Sequence, residues 1–170
     1  MNYREPGPLT KQHVLDQFVC ASDEQTNWLR RHARQSMASG ATRVFVVVPT
    51  DSNEVVAYYA WTMSQVDTVA APARLLKGGG RYPQPVALLA RLGVHEAHEG
   101  KGLGQGLLRD VILRAATISD HIGCRGLLVH CESEQARGFY QHLIPEFEQS
   151  PTDELHLIIL LKDIKRTLQT

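Results

Sequence analysis

Three glycines fall within one short turn, where an apolar segment gives way to a helical pattern, and this feature constrains the fold most strongly. The turn reads Glu99-Gly-Lys-Gly-Leu-Gly104. Mostly apolar residues from Val86 to Val94 precede it, and apolar residues recur three and four apart from Leu103, which predicts a strand followed by a helix. A helix N-terminus carries unpaired N–H groups and partial positive charge, and glycine lets an anion approach the backbone closely. The turn therefore predicts a phosphate-binding site.

Two better-known glycine motifs do not fit this turn. A P-loop requires Gly-x-x-x-x-Gly-Lys-Ser/Thr, whereas Lys101 lies between the glycines and no Ser or Thr follows it. The dinucleotide-binding motif requires Gly-x-Gly-x-x-Gly, whereas here single residues separate the glycines. A plain strand-to-helix connection is the alternative, and the remainder of the chain has to decide between the two.

The composition is ordinary for a single globular domain: 170 residues, of which 43% are hydrophobic and 21% charged. The formal net charge is zero, so a nucleic-acid surface requires local clusters of basic residues. Cys20, Cys124 and Cys131 have no metal-ligand spacing and are odd in number, so we expect reduced thiols and no metal site. We find neither the apolar region of a signal peptide nor a membrane-spanning run, so we expect a cytoplasmic protein with no membrane partner.

Apolar periodicity and capping residues predict an α/β fold in the order α-α-β-β-β-α-β-α-β. The predicted helices are Leu9–Val19, Ser22 to about Ala38 with Ser22 as the cap, Leu103–Ser119, and a helix capped by Ser133. The predicted strands are Arg43–Val48, Val55–Val66, Val86–Val94, Gly126–Cys131 and Leu155–Leu161, with a loop over residues 68–85. We expect the first two strands to form a hairpin and the strands around the glycine turn to form a βαβ crossover.

The glycine turn resembles the Gln/Arg-x-x-Gly-x-Gly/Ala signature of GNAT-type N-acetyltransferases, which cradles the diphosphate of acetyl-CoA. Glu99 stands where that signature has Gln or Arg, and a carboxylate there would repel a phosphate. The predicted elements from about residue 9 to 165 follow the order of that family. The resemblance implies a single GNAT domain over residues 1–170, with a mixed central sheet, an antiparallel N-terminal half and a βαβ acetyl-CoA-binding crossover.

Four passages are similar, more narrowly, to the GNAT toxins of bacterial toxin–antitoxin pairs. They are Phe18-Val-Cys20 with Asn27-Trp-Leu29, then Pro85–Val94, then the glycine turn, and finally Phe139-Tyr140 followed by Ser150–Leu157 and Leu161–Ile164. Such toxins acetylate the free amine of the amino acid on charged tRNA, which blocks translation, and they pair with a ribbon-helix-helix antitoxin. The resemblance implies this substrate and this partner, and it leaves a homodimer open. The chain departs from the family at Leu143–Phe147, where Phe-Gly-Phe is common.

The resemblance also implies site residues. The backbone of Leu92 and Val94 matches the strand that pairs with the pantetheine arm, and the turn that would hold the diphosphate comprises Glu99, Gly100, Lys101, Gly102, Leu103 and Gly104. Tyr140 matches the tyrosine that serves as general acid in many GNAT enzymes. A tyrosine hydroxyl, with a pKa near ~10, can hand its proton to a departing thiolate whose conjugate acid has a pKa near ~8.5. Packing in an apolar stripe with Phe139 is the alternative role for Tyr140.

A general base is not evident in the sequence. The strand Val86–Val94 carries no carboxylate or histidine, and we interpret His95 and Glu96, which follow it, as solvated turn residues. An α-amine has a pKa of about 7.7–8.0 and needs little help to lose its proton, whereas a lysine at ~10.4 needs a strong base. The missing base therefore favours an α-amine as acceptor, and charged tRNA offers one.

Basic residues cluster at two places in spite of the zero net charge. Arg30 and Arg34 are four residues apart on one predicted helix, and Lys77 and Arg81 flank three consecutive glycines in the loop. Because such clusters hold phosphate backbones, we expect these four residues to contact tRNA. A solvated helix face and a flexible surface loop are the alternative.

Three functions stay open at this point. The first is a toxin that acetylates charged tRNA. The second is a GNAT acetyltransferase that acts on a small amine or on a protein N-terminus. The third is a non-catalytic module for acyl-CoA binding or protein interaction, which the carboxylate of Glu99 in the phosphate turn would favour.

Overall fold

The computed structural model describes residues 1–169 of the chain. The strands are β1 (Gly7–Pro8), β2 (Arg43–Val47), β3 (Ala57–Val66), β4 (Gln84–Val94), β5 (Gly126–His130), β6 (Glu148–Gln149) and β7 (His156–Leu160). The helices are α1 (Asp23–Arg31), α2 (Ala33–Ala38), α3 (Ala73–Leu76), α4 (Leu103–Ile118), α5 (Glu134–Leu143) and α6 (Leu161–Gln169). Short 3-10 turns span Thr68–Ala70 and Glu96–His98.

The strands form one seven-stranded mixed sheet in the order β1-β2-β3-β4-β5-β7-β6. β2 and β3 pair antiparallel, with Phe45 opposite Tyr59, while β4 and β5 pair parallel, with Leu88 opposite Leu128. Two parallel strands joined through α4 form the βαβ crossover that the sequence predicts. The predicted fold class, with its antiparallel N-terminal half and this crossover, is confirmed.

The chain divides into two compact units. The first comprises residues 1–62 with 90–110, and the second comprises residues 63–89 with those described from 111 onward. The core of the first unit includes Phe18, Leu29, Val44, Val46 and Tyr58. The core of the second unit includes Leu75, Val86, Leu128, Ile158 and Leu160.

Two tyrosines fix the packing of helices in the first unit. The fully buried Tyr59 of β3 donates its hydroxyl hydrogen bond to Asp110 Oδ2 of α4 at 2.6 Å. The neighbouring Tyr58 donates to the Gln25 carbonyl of α1 at 2.7 Å. A hydrogen bond to a charged acceptor contributes more stability than one to a neutral acceptor. The bond from Tyr59 therefore anchors the helix that follows the glycine turn.

The predicted helix caps are confirmed. Ser22 Oγ accepts a hydrogen bond from the Gln25 amide at 3.1 Å at the start of α1, and Ser133 Oγ accepts one from the Ala136 amide at 3.1 Å at the start of α5. A short polar side chain at this position satisfies an amide that has no intrahelical acceptor. This local rule is why both starts are readable from sequence.

The predicted helix over Leu9–Val19 is wrong. The segment forms turns and isolated bridges, such as Val14 to Glu54, and it buries Leu15 and Phe18. This segment, which we call the strap, packs on the core of the first unit without forming a helix. The spacing of its apolar residues resembles the spacing on the apolar face of a helix. The predicted helix to Ala38 is interrupted at His32, which separates α1 from α2, and the predicted loop over residues 68–85 contains α3.

Candidate active site

The glycine turn between β4 and α4 adopts a conformation that few residues other than glycine tolerate. Gly100 and Gly102 have φ values of 75° and 80°, while Lys101 between them has no positive φ. A Cβ added at either glycine would meet nothing within 4 Å, so the space above the turn is open. Successive residues that alternate in this way form a concave nest of backbone N–H groups that binds anions.

The amides of this turn are available to a ligand. The Gly106 amide donates to the Gly102 carbonyl at 3.0 Å, which makes this the first hydrogen bond of α4. Amides ahead of Gly106 have no intrahelical acceptor, and their N–H groups add to the positive end of the helix macrodipole. Lys101 and Glu99 are both exposed beside these amides. The turn therefore offers a cluster of donors, one cation and one carboxylate.

His95 caps the 3-10 turn that leads into the glycine turn and is not free to act as a base. Its Nδ1 accepts from the Ala97 amide at 3.0 Å, and its Nε2 lies 3.0 Å from the Gln17 carbonyl. Because a carbonyl can only accept, Nε2 carries the proton, and both ring nitrogens are occupied. The nearby His98 bonds Tyr3 through Nδ1 at 2.8 Å, and burial lowers its pKa. His95 and His98 therefore have structural roles in the segment that precedes the glycine turn.

Tyr140 lies on α5 with its ring buried between Phe139 and Phe147, at centroid distances of 5.2 and 6.1 Å. Burial raises the pKa of its hydroxyl well above the ordinary tyrosine value. The hydroxyl forms no hydrogen bond with any group of residues 1–169. Tyr140 is therefore a protonated donor at neutral pH, with its one proton uncommitted. The packing role and the donor role are both present in the same side chain.

The cysteines are all free thiols and all buried, at 7% exposure or less. Burial raises the pKa of Cys131, which precedes α5, to about 11. A protonated, buried thiol is a poor nucleophile, because the thiolate is the reactive form. Cys131 is therefore not suited to form a covalent intermediate, and burial shields Cys20 and Cys124 from a substrate.

Arg91 is a charged residue near the glycine turn in sequence that the sequence interpretation did not single out. It belongs to β4, its guanidinium lies 5.2 Å from the centre of the Trp28 ring, and it donates to Glu24 Oε1 at 3.1 Å. The guanidinium also bonds Gln25 Oε1 at 3.2 Å. The signal for it was present, since Arg91 is the single charged residue within an apolar strand. Its contacts fasten α1 to the strand that ends at the glycine turn.

The four predicted RNA-binding residues occupy different elements. Arg30 is exposed on α1, whereas Arg34 lies on α2 and donates to the His13 carbonyl at 2.6 Å. Lys77 ends α3, and Arg81 is exposed in the loop before β4. Arg34 thus has a contact within the protein. The side chains of Arg30, Lys77 and Arg81 form no ion pair with a carboxylate in the described part of the chain.

Neither a metal centre nor a membrane segment is found in the part of the chain that the structure describes. Within residues 1–169, no three His, Cys, Asp or Glu side chains are grouped so that they could hold a metal ion. None of the helices in the same range is both long and apolar enough to cross a bilayer.

Comparison with known proteins identifies the same architecture. The acetyltransferase (GNAT) domain family matches residues 41–143, which include the hairpin, the glycine turn and α5. A protein of Mycobacterium tuberculosis described as a tRNA-acetylating toxin is 37% identical over 163 residues, which covers 96% of this chain and 95% of that protein.

Solved structures resemble the chain over nearly its full length. AtaT complexed with acetyl-methionyl-tRNAfMet aligns with a TM-score of 0.88 at 22% identity, covering 98% of this chain and 99% of that one. An AtaT mutant toxin bound to the C-terminus of the antitoxin AtaR and acetyl-CoA aligns with a TM-score of 0.82 at 20% identity and full coverage of both chains. At such identities the likeness establishes the fold.

Proposed function

The chain belongs to the acetyltransferase (GNAT) family, and from that membership we propose that it transfers an acetyl group from acetyl-CoA to the α-amine of the amino acid on charged tRNA. This reaction would block translation, which makes the protein a toxin. The observation that carries the proposal is the 37% identity to a tRNA-acetylating toxin over 96% of the chain. We further propose that residues 1–170 act as one GNAT domain.

Acetyl-CoA supplies the acetyl group as an activated thioester. We assign its diphosphate to the amides of Gly100, Lys101, Gly102, Leu103 and Gly104, with the Lys101 ammonium adding positive charge and Glu99 at the edge of the site. The open space above Gly100 and Gly102 and their positive φ values support this assignment. The backbone of Leu92 and Val94, at the end of β4, is assigned to the pantetheine arm. An amide that donates to the developing oxyanion is typically worth ~3 kcal/mol in such reactions.

Tyr140 is proposed as the general acid that protonates the departing sulfur. Its raised pKa keeps the proton on the hydroxyl at neutral pH, and no group within residues 1–169 competes for that proton. His95, by contrast, has no free nitrogen with which to deprotonate an acceptor. The acceptor must therefore lose its proton without a base from His95, and an α-amine with a pKa of about 7.7–8.0 has a substantial neutral fraction near physiological pH.

We propose that a ribbon-helix-helix antitoxin restrains this activity, because an enzyme that acetylates charged tRNA would stop the growth of its own cell. A toxin of the same fold has been captured with the C-terminus of its antitoxin, which supports a partner of this kind. A disordered tail that folds on binding can cover a large surface. The proposed substrate places the reaction in the cytoplasm.

The proposed function is tested by mass spectrometry of the amino acid released from bulk charged tRNA after incubation with the protein and acetyl-CoA. We expect a gain of one acetyl group on the α-amine, and no gain when the amine has been blocked beforehand. Induced expression should arrest growth, and the product of the adjacent small reading frame should restore it. Acetylation of small amines or protein N-termini with no reaction on charged tRNA would overturn the proposal.

We propose that Arg30, Arg34, Lys77 and Arg81 contact tRNA phosphates, and exposed Arg30 and Arg81 permit the clearest test. Each lost phosphate contact should lower the salt dependence of log affinity by about one. The double variant Arg30→Glu/Arg81→Glu should therefore bind tRNA more weakly at low salt and with a flatter salt dependence. Lys11→Glu, a single charge reversal at another exposed basic residue, serves as the control. Equal salt dependences for both variants would remove Arg30 and Arg81 from the RNA surface.

A further inference from the structure

A basic cavity of about 290 Å³ lies in the second compact unit, and none of the residues assigned above to acetyl-CoA lines it. Its walls come from α3, the start of β5 and the junction of β7 with α6. Four of its lining side chains are cationic and the others are apolar or thiol: Arg74, Lys77, Arg125 and Lys162, with Leu75, Cys124, Leu160 and Leu161. This concentration of positive charge contrasts with the zero net charge of the chain.

Arg74 is the neutralised member of the set. It makes a bidentate contact with Asp163, at 2.9 Å to Oδ2 and 3.1 Å to Oδ1, and a further contact with Glu148 at 3.3 Å. The Asp163 side chain is 2% exposed, and the hydrogen bond from Arg74 lowers its pKa. Arg166 reaches the same carboxylate. These contacts hold the wall of the cavity in place, and they pair the carboxylates of Asp163 and Glu148 with arginines.

Arg125 holds the loop that forms the rim. Its Nη2 donates to the Lys77 carbonyl at 2.9 Å, and its Nη1 bonds the buried Gln84 side chain. Gln84 in turn donates to the Gly79 carbonyl at 3.0 Å. A Cβ at Gly79 would overlap both the guanidinium and the amide, so any other residue there would require these side chains to shift. The rim is therefore an anchored loop, whereas the sequence interpretation considered it flexible.

Lys77 and Lys162 are the two cations of this set whose side chains have no hydrogen-bond partner in the described part of the chain. Both are exposed, and neither ammonium has a carboxylate within ion-pair distance in the described part of the chain. Two lysines held on a fixed frame, with their positive charges unpaired, attract an anion that carries more than one charge. Lysine binds phosphate well as a point charge, and phosphate contacts dominate the affinity of proteins for nucleic acids.

We propose that this cavity binds backbone phosphates of the RNA substrate through Lys77, which belongs to the second predicted basic cluster, and Lys162, which belongs to neither cluster. The inference rests on the proposed function, because the RNA is the polyanion that this enzyme must hold. It extends the RNA-contacting surface to Lys162, near the C-terminus of the chain, which sequence reasoning did not assign.

The test measures the affinity of the full chain for uncharged bulk tRNA across a salt series. The double variant Lys77→Glu/Lys162→Glu should bind at least ~10-fold more weakly at low salt, and its salt slope should fall by about two, one for each contact. The conservative variant Lys77→Arg/Lys162→Arg should retain binding. Lys165→Glu is the control for a single charge reversal, because Lys165 is exposed on the same helix as Lys162 but does not line the cavity. Thermal unfolding verifies that every variant is folded.

Each possible result of this test either supports or contradicts the proposal. If Lys77→Glu/Lys162→Glu matches Lys165→Glu in affinity and slope, the cavity is not an RNA site. If tRNA affinity is unchanged while binding of an acidic antitoxin segment is lost, the cavity serves a protein and the inference is overturned. Failure of this inference is distinguishable from failure of the proposed function. The present assay measures RNA binding, whereas the proposed function would fail if the unmodified chain did not acetylate charged tRNA.

Discussion

Replacing Gly102 by glutamate is expected to reduce the affinity for acetyl-CoA at least ~100-fold. The backbone at this position has φ of 80°, which costs a residue with a Cβ about 1–3 kcal/mol. The glutamate side chain would also enter the open space above the turn and place a carboxylate among the amides assigned to the diphosphate. Strain and charge repulsion act in the same direction, so we expect a loss that titration calorimetry can measure directly.

Gly106→Glu provides the control for this experiment. Gly106 is exposed in the first turn of α4, its φ is not positive, and an added Cβ would meet nothing within 4 Å. The same side chain placed there should leave the affinity within ~3-fold of that of the unmodified protein, since it strains nothing and lies outside the turn. Equal affinities for the two variants, with both folded, would dissociate the glycine turn from the cofactor.

Tyr140→Phe should lower kcat by ~10²–10⁴-fold and leave the affinity for acetyl-CoA unchanged, because general acid catalysis acts in the transition state. The ring remains buried between Phe139 and Phe147, so the fold should be retained. The matched control is Tyr82→Phe, which removes a hydroxyl from a tyrosine that is 77% exposed. Unchanged turnover in Tyr140→Phe would indicate that Tyr140 has a packing role only.

The pH profile gives a second readout for Tyr140. Because burial raises the pKa of its hydroxyl, the acid is protonated throughout the neutral range, and activity should not decline on the alkaline side up to about pH 10. The acid limb should follow deprotonation of the acceptor, with a midpoint near the α-amine pKa of about 7.7–8.0. A decline in activity between pH 8 and 9 would indicate that a group other than Tyr140 delivers the proton.

Local features of this fold were predictable from sequence. The glycine turn and the caps Ser22 and Ser133 each depend on residues only a few positions apart, and the crossover around α4 follows from the general rule for strands joined through a helix. The segment Leu9–Val19 was misread because its burial depends on distant strands, and a strap on a core can show the same apolar spacing as a helix. The local sequence pattern therefore predicted the glycine turn, but it could not predict that the strap packs against distant strands.

The basic cavity lay beyond sequence reasoning for the same reason. Its frame depends on Arg74 meeting Asp163, 89 residues later, and on Arg125 meeting the carbonyl of Lys77, 48 residues earlier. No periodicity links such positions. Lys77 was noted in sequence because it flanks three glycines, whereas Lys162 meets the other cations of the cavity only in three dimensions. Groups of residues that are neighbours in the sequence were therefore predictable, and groups brought together by the sheet were not.

The burial of all three thiols has a practical consequence for studying this molecule in solution. Cys20, Cys124 and Cys131 are shielded, and Cys131 is also protonated at neutral pH, so maleimide reagents should modify the folded chain slowly. A cysteine introduced at an exposed residue such as Glu134, at the start of α5, would then be the fast-reacting thiol. A fluorophore or spin label attached there would report on the neighbourhood of Tyr140 without first removing the native cysteines from the core.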